Sequence, residues 1–152
     1  MPKDAEPYLA AGLEGTDPDL AKLQTDWDKD KGYVPILINV LAYTSLDSAR
    51  EAITAYLPKL DTDLNRAAAG QMLIWFPTSP QLIGTYKSIY AKLPPIADKG
   101  DNDTGAERAQ LLSVASEFFD PSLGPWAVGE AAGAKGTNML SAKVGAIQSA
   151  IP

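Results

Sequence analysis

The side chains in this sequence that could do acid–base chemistry are carboxylates, amines, guanidines and hydroxyls, because the chain has no histidine and no cysteine. Their absence removes thiol nucleophiles, disulfides, histidine-ligated haem and the usual zinc and copper sites. The commonest general base at neutral pH is missing as well. Glu51, Asp61, Asp63 and Glu107 could pair for acid–base work, but each stands where a helix start favours an acid. The sequence therefore assigns no catalytic residue, no metal ligand and no cofactor.

An acidic segment, residues 94–104 (PPIADKGDNDT), is the clearest linker in the chain. A calcium loop of the EF-hand type needs alternating oxygen ligands, Gly at the sixth position and Glu at the twelfth. Counted from Asp101, the sixth residue is Ala106 and no Glu stands at the twelfth position. The pattern favours a solvated linker that leads into a helix opened by Thr104 and Glu107 in capping-box spacing.

The run GEAAGAKGT, residues 129–137, has the composition of a phosphate-binding loop but not its order. A Walker A loop needs Lys followed directly by Ser or Thr, whereas Lys135 is followed by Gly136. No strand is predicted before the run. We interpret it as close helix packing through Gly129 and Gly133, followed by a loop.

Aromatic side chains recur at helical spacing in the middle and second half of the chain. Such rings could line an apolar cavity between helices and hold a small molecule. Aromatic residues at this spacing more often fill a core, so the pocket is the weaker interpretation. The candidate pocket residues are Trp75, Tyr86, Tyr90, Phe118 and Trp126.

Apolar residues recur three and four positions apart, which is the period of one α-helix face. Twelve prolines separate these segments, and the alternating patterns of β-strands are missing. The run Val34–Tyr43 (VPILINVLAY) is almost wholly apolar, so periodicity leaves helix or strand open. We predict a buried helix there, because a lone strand has nothing to pair with. The expected fold is all-α, a compact irregular bundle of about six to eight short helices.

Residues 1–152 are predicted to form a single domain, with residues 1–16 as a possible N-terminal arm. Capping residues mark the helix starts. The predicted starts are Thr44 with Ser45 or Ser48 with Glu51, then Thr62, then Ser79 with Pro80. Side chains at helical spacing are predicted to form the core faces of the helices. They include Tyr8, Leu9 and Leu13 in the first helix, Leu64, Ala68, Met72 and Trp75 after Thr62, and Arg108, Leu111, Leu112, Ala115, Phe118 and Phe119 in a helix that ends at Pro121.

The charge balance limits the partners that the sequence can be expected to bind. The chain has 13 Lys plus Arg against 19 Asp plus Glu, a net charge of −6. Nucleic-acid binding is not expected, because the basic residues stand singly among acids instead of forming a basic face. No run of about 18 apolar residues predicts a membrane span. No signal-peptide pattern is visible, so we expect a soluble protein whose compartment stays open, a mature secreted form included.

The segments GYVPILINVLAYTSLDSAREAITAYL and ERAQLLSVASEFF, with a Gly/Ala turn after them, resemble the helical order of carboxymuconolactone decarboxylase and its hydroperoxidase relatives. The resemblance lies in helix order and a Gly-x-Val-Pro start. Those peroxidases rely on a Cys-x-x-Cys pair and a histidine. This chain has neither, so the resemblance implies no redox activity, and we do not assign the chain to the family.

Three functional hypotheses follow from the sequence. The first is a non-enzymatic structural or protein-interaction subunit, part of a larger assembly, with a protein partner or a second copy bound to it. The second is a helical pocket protein for an apolar small molecule. The third is an enzyme that works without histidine and cysteine through carboxylates or tyrosine. The failure of every catalytic motif places the interaction subunit first.

Overall fold

Seven α-helices account for most of the computed structural model, which describes residues 2–19, 33–97, 105–133, 143–144 and 147. The helices are α1 (Pro2–Glu14), α2 (Tyr33–Tyr43), α3 (Asp47–Tyr56), α4 (Asp63–Met72), α5 (Pro80–Lys92), α6 (Ala106–Ser113) and α7 (Leu123–Ala132). Short 3-10 turns follow at Leu57–Lys59, Leu73–Trp75 and Ala115–Phe118. No β-strand forms within these ranges. The predicted all-α fold of six to eight short helices is confirmed.

The helices divide into two compact units. The first unit, Met1–Pro77, holds α1 to α4, and the second unit, Thr78–Pro152, holds α5 to α7. The single domain of residues 1–152 stays a prediction. The predicted linker 94–104 belongs to the second unit, and its residues 98–104 lie outside the described part of the chain.

Helix α2 is the centre of the first unit, where it packs against α1, α3 and α4. The apolar run that left helix or strand open is therefore a helix, as predicted. Val34, Ile38 and Leu41 are fully buried, and their spacing of four and three places them on one face of the helix. That face anchors the core of the first unit.

Helix α1 packs against α2 and α3, so residues 1–16 are largely a helix of the first unit. Gly15 closes it with φ +72°. The Gly15 amide donates to the Gly12 carbonyl at 3.2 Å and the Thr16 amide to the Ala11 carbonyl at 2.9 Å, a Schellman end. Leu13 is buried as predicted, but Tyr8 is 69% exposed and its inward assignment was wrong.

Two of the predicted caps are confirmed. Thr62 Oγ1 accepts a hydrogen bond from the Asn65 amide at 3.1 Å, and Ser79 Oγ accepts one from the Leu82 amide at 3.2 Å. Each satisfies an amide that the first helical turn leaves unpaired. Pro80 follows Ser79 as the first residue of α5. Its missing N–H costs no hydrogen bond there, because an amide at this position has no acceptor within the helix.

The start of α3 differs from both predicted caps. The helix begins at Asp47, one residue before Ser48, and its N-cap residue Leu46 makes no side-chain cap. Thr44 Oγ1 donates to the Leu41 carbonyl at 2.6 Å and accepts from the Leu46 amide at 3.3 Å. Thr44 therefore fastens the turn between α2 and α3 instead of capping α3.

The inner face of α4 was assigned wrongly. Leu64 is 64% exposed and Trp75 is 41% exposed. The buried side is instead made of Asn65, Ala67, Ala69 and Gly70. These small residues let the backbones of α4 and α2 approach closely, and α4 then gives way to the 3-10 turn Leu73–Trp75, which shifts the helical register.

The helix predicted to run from Thr104 to Pro121 is also different. Helix α6 ends at Ser113, and a 3-10 turn over Ala115–Phe118 follows. Phe119 then takes the left-handed conformation and is 89% exposed, so its inward assignment was wrong. The predicted cap Thr104 lies outside the described residues.

The N-cap position of α6 is occupied by Gly105, with φ +82°. A Cβ on this residue would lie 2.6 Å from the Ile96 Cα and 2.8 Å from the Pro95 carbonyl carbon. Both are backbone atoms, which cannot rotate away from the clash as a flexible side chain could. Glycine is therefore required here by conformation and by space.

Candidate functional site

The structure brings four of the five candidate pocket residues together in the second unit. Ring centroids lie 4.7 Å apart for Tyr86 and Phe118, 5.7 Å for Tyr86 and Trp126, and 4.9 Å for Tyr90 and Trp126. We call these four residues the aromatic cluster. The fifth candidate, Trp75, belongs to the first unit, where its ring contacts Tyr43.

The rings of the aromatic cluster contact one another, and most of their surface is buried. Tyr86, Phe118 and Tyr90 are at most 3% exposed. Their rings contact one another in tilted and edge-to-face geometry, which is how aromatic side chains pack in a core. The Tyr86 hydroxyl donates to the Leu111 carbonyl at 2.6 Å, so its polar atom is paired within the protein. These contacts favour a structural role for the cluster.

Two cations cover the rim of the aromatic cluster. Lys87 Nζ lies 5.3 Å from the centre of the Trp126 ring, and Arg108 Cζ lies 4.8 Å from the centre of the Tyr90 ring. Both distances suit cation–π attraction. Arg108 also donates from a terminal nitrogen to the Ala91 carbonyl at 3.2 Å. The side chains of Lys87 and Arg108 therefore pack on the rings of the aromatic cluster.

The electrostatics of the cluster make its tyrosines poor acid–base groups near neutral pH. Burial, with the negative charge of Glu130 as a second cause, raises the pKa of Tyr90 to about 12, although the nearby Arg108 guanidinium opposes this. Burial also raises the pKa of Tyr86 strongly, and Tyr90 adds to that effect. A general base at neutral pH needs the opposite shift.

Three of the four carboxylates considered for catalysis stand at helix surfaces or helix starts. Asp63 lies in the first turn of α4 and pairs with Arg66, whose terminal nitrogen is 2.8 Å from the carboxylate. Glu107 lies in the first turn of α6, and Glu51 is exposed on α3. Among the residues that the structure describes, no group of three acidic side chains is placed to hold a metal ion.

The glycines proposed to mediate close helix packing do not do so. Gly129 and Gly133 are exposed on α7 and at its end. A Cβ at Gly129 would have no neighbour within 4 Å. The close-packing interpretation was therefore wrong, and residues 134–137 of the same run lie outside the described residues.

The most unusual surface in the first unit is the outer side of α2. Ile36, Val40 and Tyr43 are 55%, 44% and 61% exposed. Their spacing of four and three puts them on one side of the helix, opposite the buried Val34 and Ile38. The side of a helix that is turned away from the core is normally polar.

Trp75 extends this apolar surface beyond α2. Its ring centroid lies 4.7 Å from that of Tyr43, with 38° between the ring planes. Trp75 is 41% exposed, so the pair offers aromatic area to solvent and not only to the core. We call Ile36, Val40, Tyr43 and Trp75 the α2 face.

Sequence reasoning missed the α2 face, although a signal for it was present. Helix α2 contains no charged residue in its 11 positions. A helix that is apolar on all sides is normally covered on all sides, which is why the segment was interpreted as buried. The protein buries only one side of α2, so the exposed side of the helix is apolar as well.

None of the described helices is long and apolar enough to cross a membrane.

The comparisons with known proteins found no matching family model, no matching curated protein and no matching solved structure. Function is therefore argued from the geometry of this chain alone.

Proposed function

We propose that this chain is a non-enzymatic interaction subunit that binds another protein through the α2 face. The observation that carries the proposal is an uncharged helix whose outer side exposes Ile36, Val40 and Tyr43 to solvent. Contiguous exposed apolar surface of this kind is typical of interaction sites. The partner is a different subunit or a second copy of this chain.

The chemistry of the α2 face suits a protein partner. Tyr and Trp are enriched where protein interfaces concentrate their binding energy, and the Tyr43–Trp75 pair provides both. Ile36 and Val40 are already about half buried, so covering the rest of each side chain contributes about 1 kcal/mol. A partner that covers all four side chains of the α2 face therefore gains a favourable apolar contribution from this surface.

The two other hypotheses find less support in the geometry. A small-molecule pocket lined by the aromatic cluster is less favoured, because those rings contact one another at centroid distances of 4.7 and 4.9 Å. Acid–base catalysis needs a carboxyl or hydroxyl group tuned towards neutral pH. The pKa of Asp120 is lowered by hydrogen bonds from Ser122, and the pKa of Tyr90 is raised, so both move away from neutrality.

A charge placed on the α2 face tests the proposal. Val40→Glu puts a carboxylate at the middle of the face, and Val128→Glu is its matched control, because both valines are 44% exposed within helices. Light scattering after size exclusion, on material from cells that naturally make the protein, gives the mass of each assembly. We expect an assembly well above the 16.1 kDa chain for the wild type and for Val128→Glu.

Val40→Glu should lose that assembly and keep the circular dichroism spectrum of the isolated wild-type chain, since the position is exposed. A mass that is a whole multiple of the chain, with a single band on a denaturing gel, would identify further copies of the chain. A second band would identify a different subunit. The proposal is wrong if the wild type is a monomer in its native source, or if Val40→Glu assembles as well as Val128→Glu.

A further inference from the structure

Phe119 combines two features that are unfavourable in the isolated chain. Its backbone lies in the left-handed region, with φ 52° and ψ 32°, which bulky side chains seldom adopt. Its side chain is 89% exposed, the highest value among the large apolar side chains that the structure describes. Glycine or asparagine would suit the backbone better, and a polar residue would suit the exposure better.

The residues on either side hold Phe119 in a fixed place. The Phe119 amide donates to the Ser116 carbonyl at 3.1 Å. The Thr78 hydroxyl donates to the Phe118 carbonyl at 2.6 Å, and the Phe118 ring packs against Tyr86. Because the backbone on both sides of the ring is already held, only the side chain of Phe119 has to be ordered when it binds.

The turn that follows Phe119 is fixed as well. The Asp120 carboxylate accepts hydrogen bonds from the amide and the hydroxyl of Ser122, at 2.8 Å and 2.5 Å. These bonds lower the pKa of Asp120, and the charge of Lys87 lowers it further. Asp120 is therefore ionised at neutral pH.

The charges around Phe119 indicate what its partner looks like. Glu117, two residues before it, is exposed on the 3-10 turn, and Asp120 follows it directly. Lys87 lowers the pKa of Asp120, and its ammonium also lies over the Trp126 ring. With a net charge of −6 on the whole chain, the surroundings favour a surface that carries basic side chains.

We propose that Phe119 is a fixed anchor that inserts into an apolar pocket of a partner protein, and that Lys or Arg side chains form the rim of that pocket. A partner of this chemistry would bury the exposed ring and meet the flanking acids with opposite charge. Residues with unfavourable local backbone are enriched at functional sites. The proposal does not depend on the α2 face, because it rests on different residues in the other unit.

A photoreactive side chain identifies the partner in the full-length protein. Benzoylphenylalanine replaces Phe119 in one variant and Tyr8 in the control, since Tyr8 is also aromatic and is 69% exposed on an ordinary helix. Both are irradiated in cells that naturally make the protein. The proteins crosslinked at residue 119 and not at residue 8 are then purified and titrated against the wild type.

Two substitutions of Phe119 decide whether that binding depends on the ring. Phe119→Ala and Phe119→Gly should each weaken the dissociation constant about 30-fold, the loss typical of a central anchor. Phe119→Gly should at the same time keep or raise the melting temperature, because glycine accepts the left-handed backbone. Binding lost together with higher stability excludes misfolding as the cause.

Glu117→Lys should weaken binding several-fold at low salt, and the difference should shrink as salt is added. Glu51→Lys makes the same charge change at an exposed helix position of the first unit and should have little effect. The alternative is that the Phe119 ring inserts into a membrane. Binding of the wild type to phosphatidylcholine vesicles that contain about one phosphatidylserine in five lipids tests it.

Four results would overturn the proposal. They are equal crosslinking at residues 119 and 8, a purified partner that binds Phe119→Gly as tightly as the wild type, a partner pocket without basic side chains, and vesicle binding that depends on Phe119. None of these results would contradict the proposed function of the α2 face, because Val40→Glu tests that face separately.

Discussion

Helices α2 and α5 carry apolar side chains at the same helical spacing and place them in opposite environments. On α5, Tyr86 and Tyr90 are four residues apart and both are buried. On α2, Ile36 and Val40 are also four residues apart and both are exposed. Spacing identifies a helix face, but it does not say whether the protein itself covers that face.

The contacts around each face explain the difference. Tyr86 and Tyr90 are covered by Trp126, and Tyr86 also by Phe118, from segments of the same unit. Among the side chains of the α2 face, the ring contact that the structure shows joins Tyr43 to Trp75, and both rings stay partly exposed. The aromatic cluster is therefore complete within the chain, whereas the α2 face has room for a partner.

The largest expected effect is the loss of a ring from the aromatic cluster. Phe118→Ala should lower the free energy of unfolding of the second unit by about 3–5 kcal/mol, because the buried ring leaves a cavity. Tyr43→Ala on the α2 face should cost less than about 1 kcal/mol. Urea unfolding followed by circular dichroism measures both, and equal losses would contradict the contrast between a closed cluster and an open face.

The next largest expected effect distinguishes two glycines of the second unit. Gly105→Ala should cost more than about 2 kcal/mol, since the methyl group meets the Ile96 backbone and the φ of +82° suits glycine. Gly84→Ala should stabilise by about 0.5–1 kcal/mol, because Gly84 lies inside α5 with open space around its Cα. Melting temperatures compare the two variants. A similar change in both would show that Gly105 has more room than the structure gives it.

Alkaline pH should weaken the aromatic cluster. The pKa of Tyr90 is about 12 in the folded protein and about 10 in an unfolded chain. A raised folded-state pKa gives stability that is complete below pH 10 and is lost as pH rises through 12. Unfolding free energies measured from pH 9 to pH 12 should therefore fall in the wild type. Tyr90→Phe should make this fall shallower without abolishing it, because burial also raises the pKa of Tyr86. An unchanged slope in that variant would contradict the account.

The smallest expected effect concerns the helix caps, in which the two units are alike. Thr62→Ala in the first unit and Ser79→Ala in the second should each cost about 1 kcal/mol, because each removes one acceptor for a first-turn amide. Thermal unfolding of the two variants checks this. A much larger loss of unfolding free energy in one unit would show that the two units differ in more than how far their apolar helix faces are buried.

The sequence predicted those parts of the fold that depend on local chemistry. The Thr62 and Ser79 caps follow from residues within a few positions of each other. The helical state of α2 followed instead from the absence of a second strand with which that segment could pair. Sequence reasoning also selected four aromatic residues that meet in space. It could not decide whether their rings would line a cavity or fill it, because this depends on distances between helices.

The wrong assignments share another cause. Phe119 was placed inward because it continues a helical pattern, but α6 ends at Ser113 and a 3-10 turn changes the register before it. Leu64 was assigned to the core face because it recurs at helical spacing with Ala68 and Met72, yet small residues form the buried side. Hydrophobic patterns favour large residues, so a close helix contact made by alanine and glycine is hard to see in them.

Hydroxyl-radical footprinting tests the central claim most directly. Tyr43 and Trp75 are exposed enough to react in the isolated chain, and Tyr8 is an exposed aromatic outside the α2 face. Oxidation of each residue is compared between the isolated chain and the assembly purified from cells that naturally make it. The account predicts that Tyr43 and Trp75 become protected in the assembly while Tyr8 stays reactive. Equal oxidation of Tyr43 and Trp75 in both samples would contradict the proposed role of the α2 face.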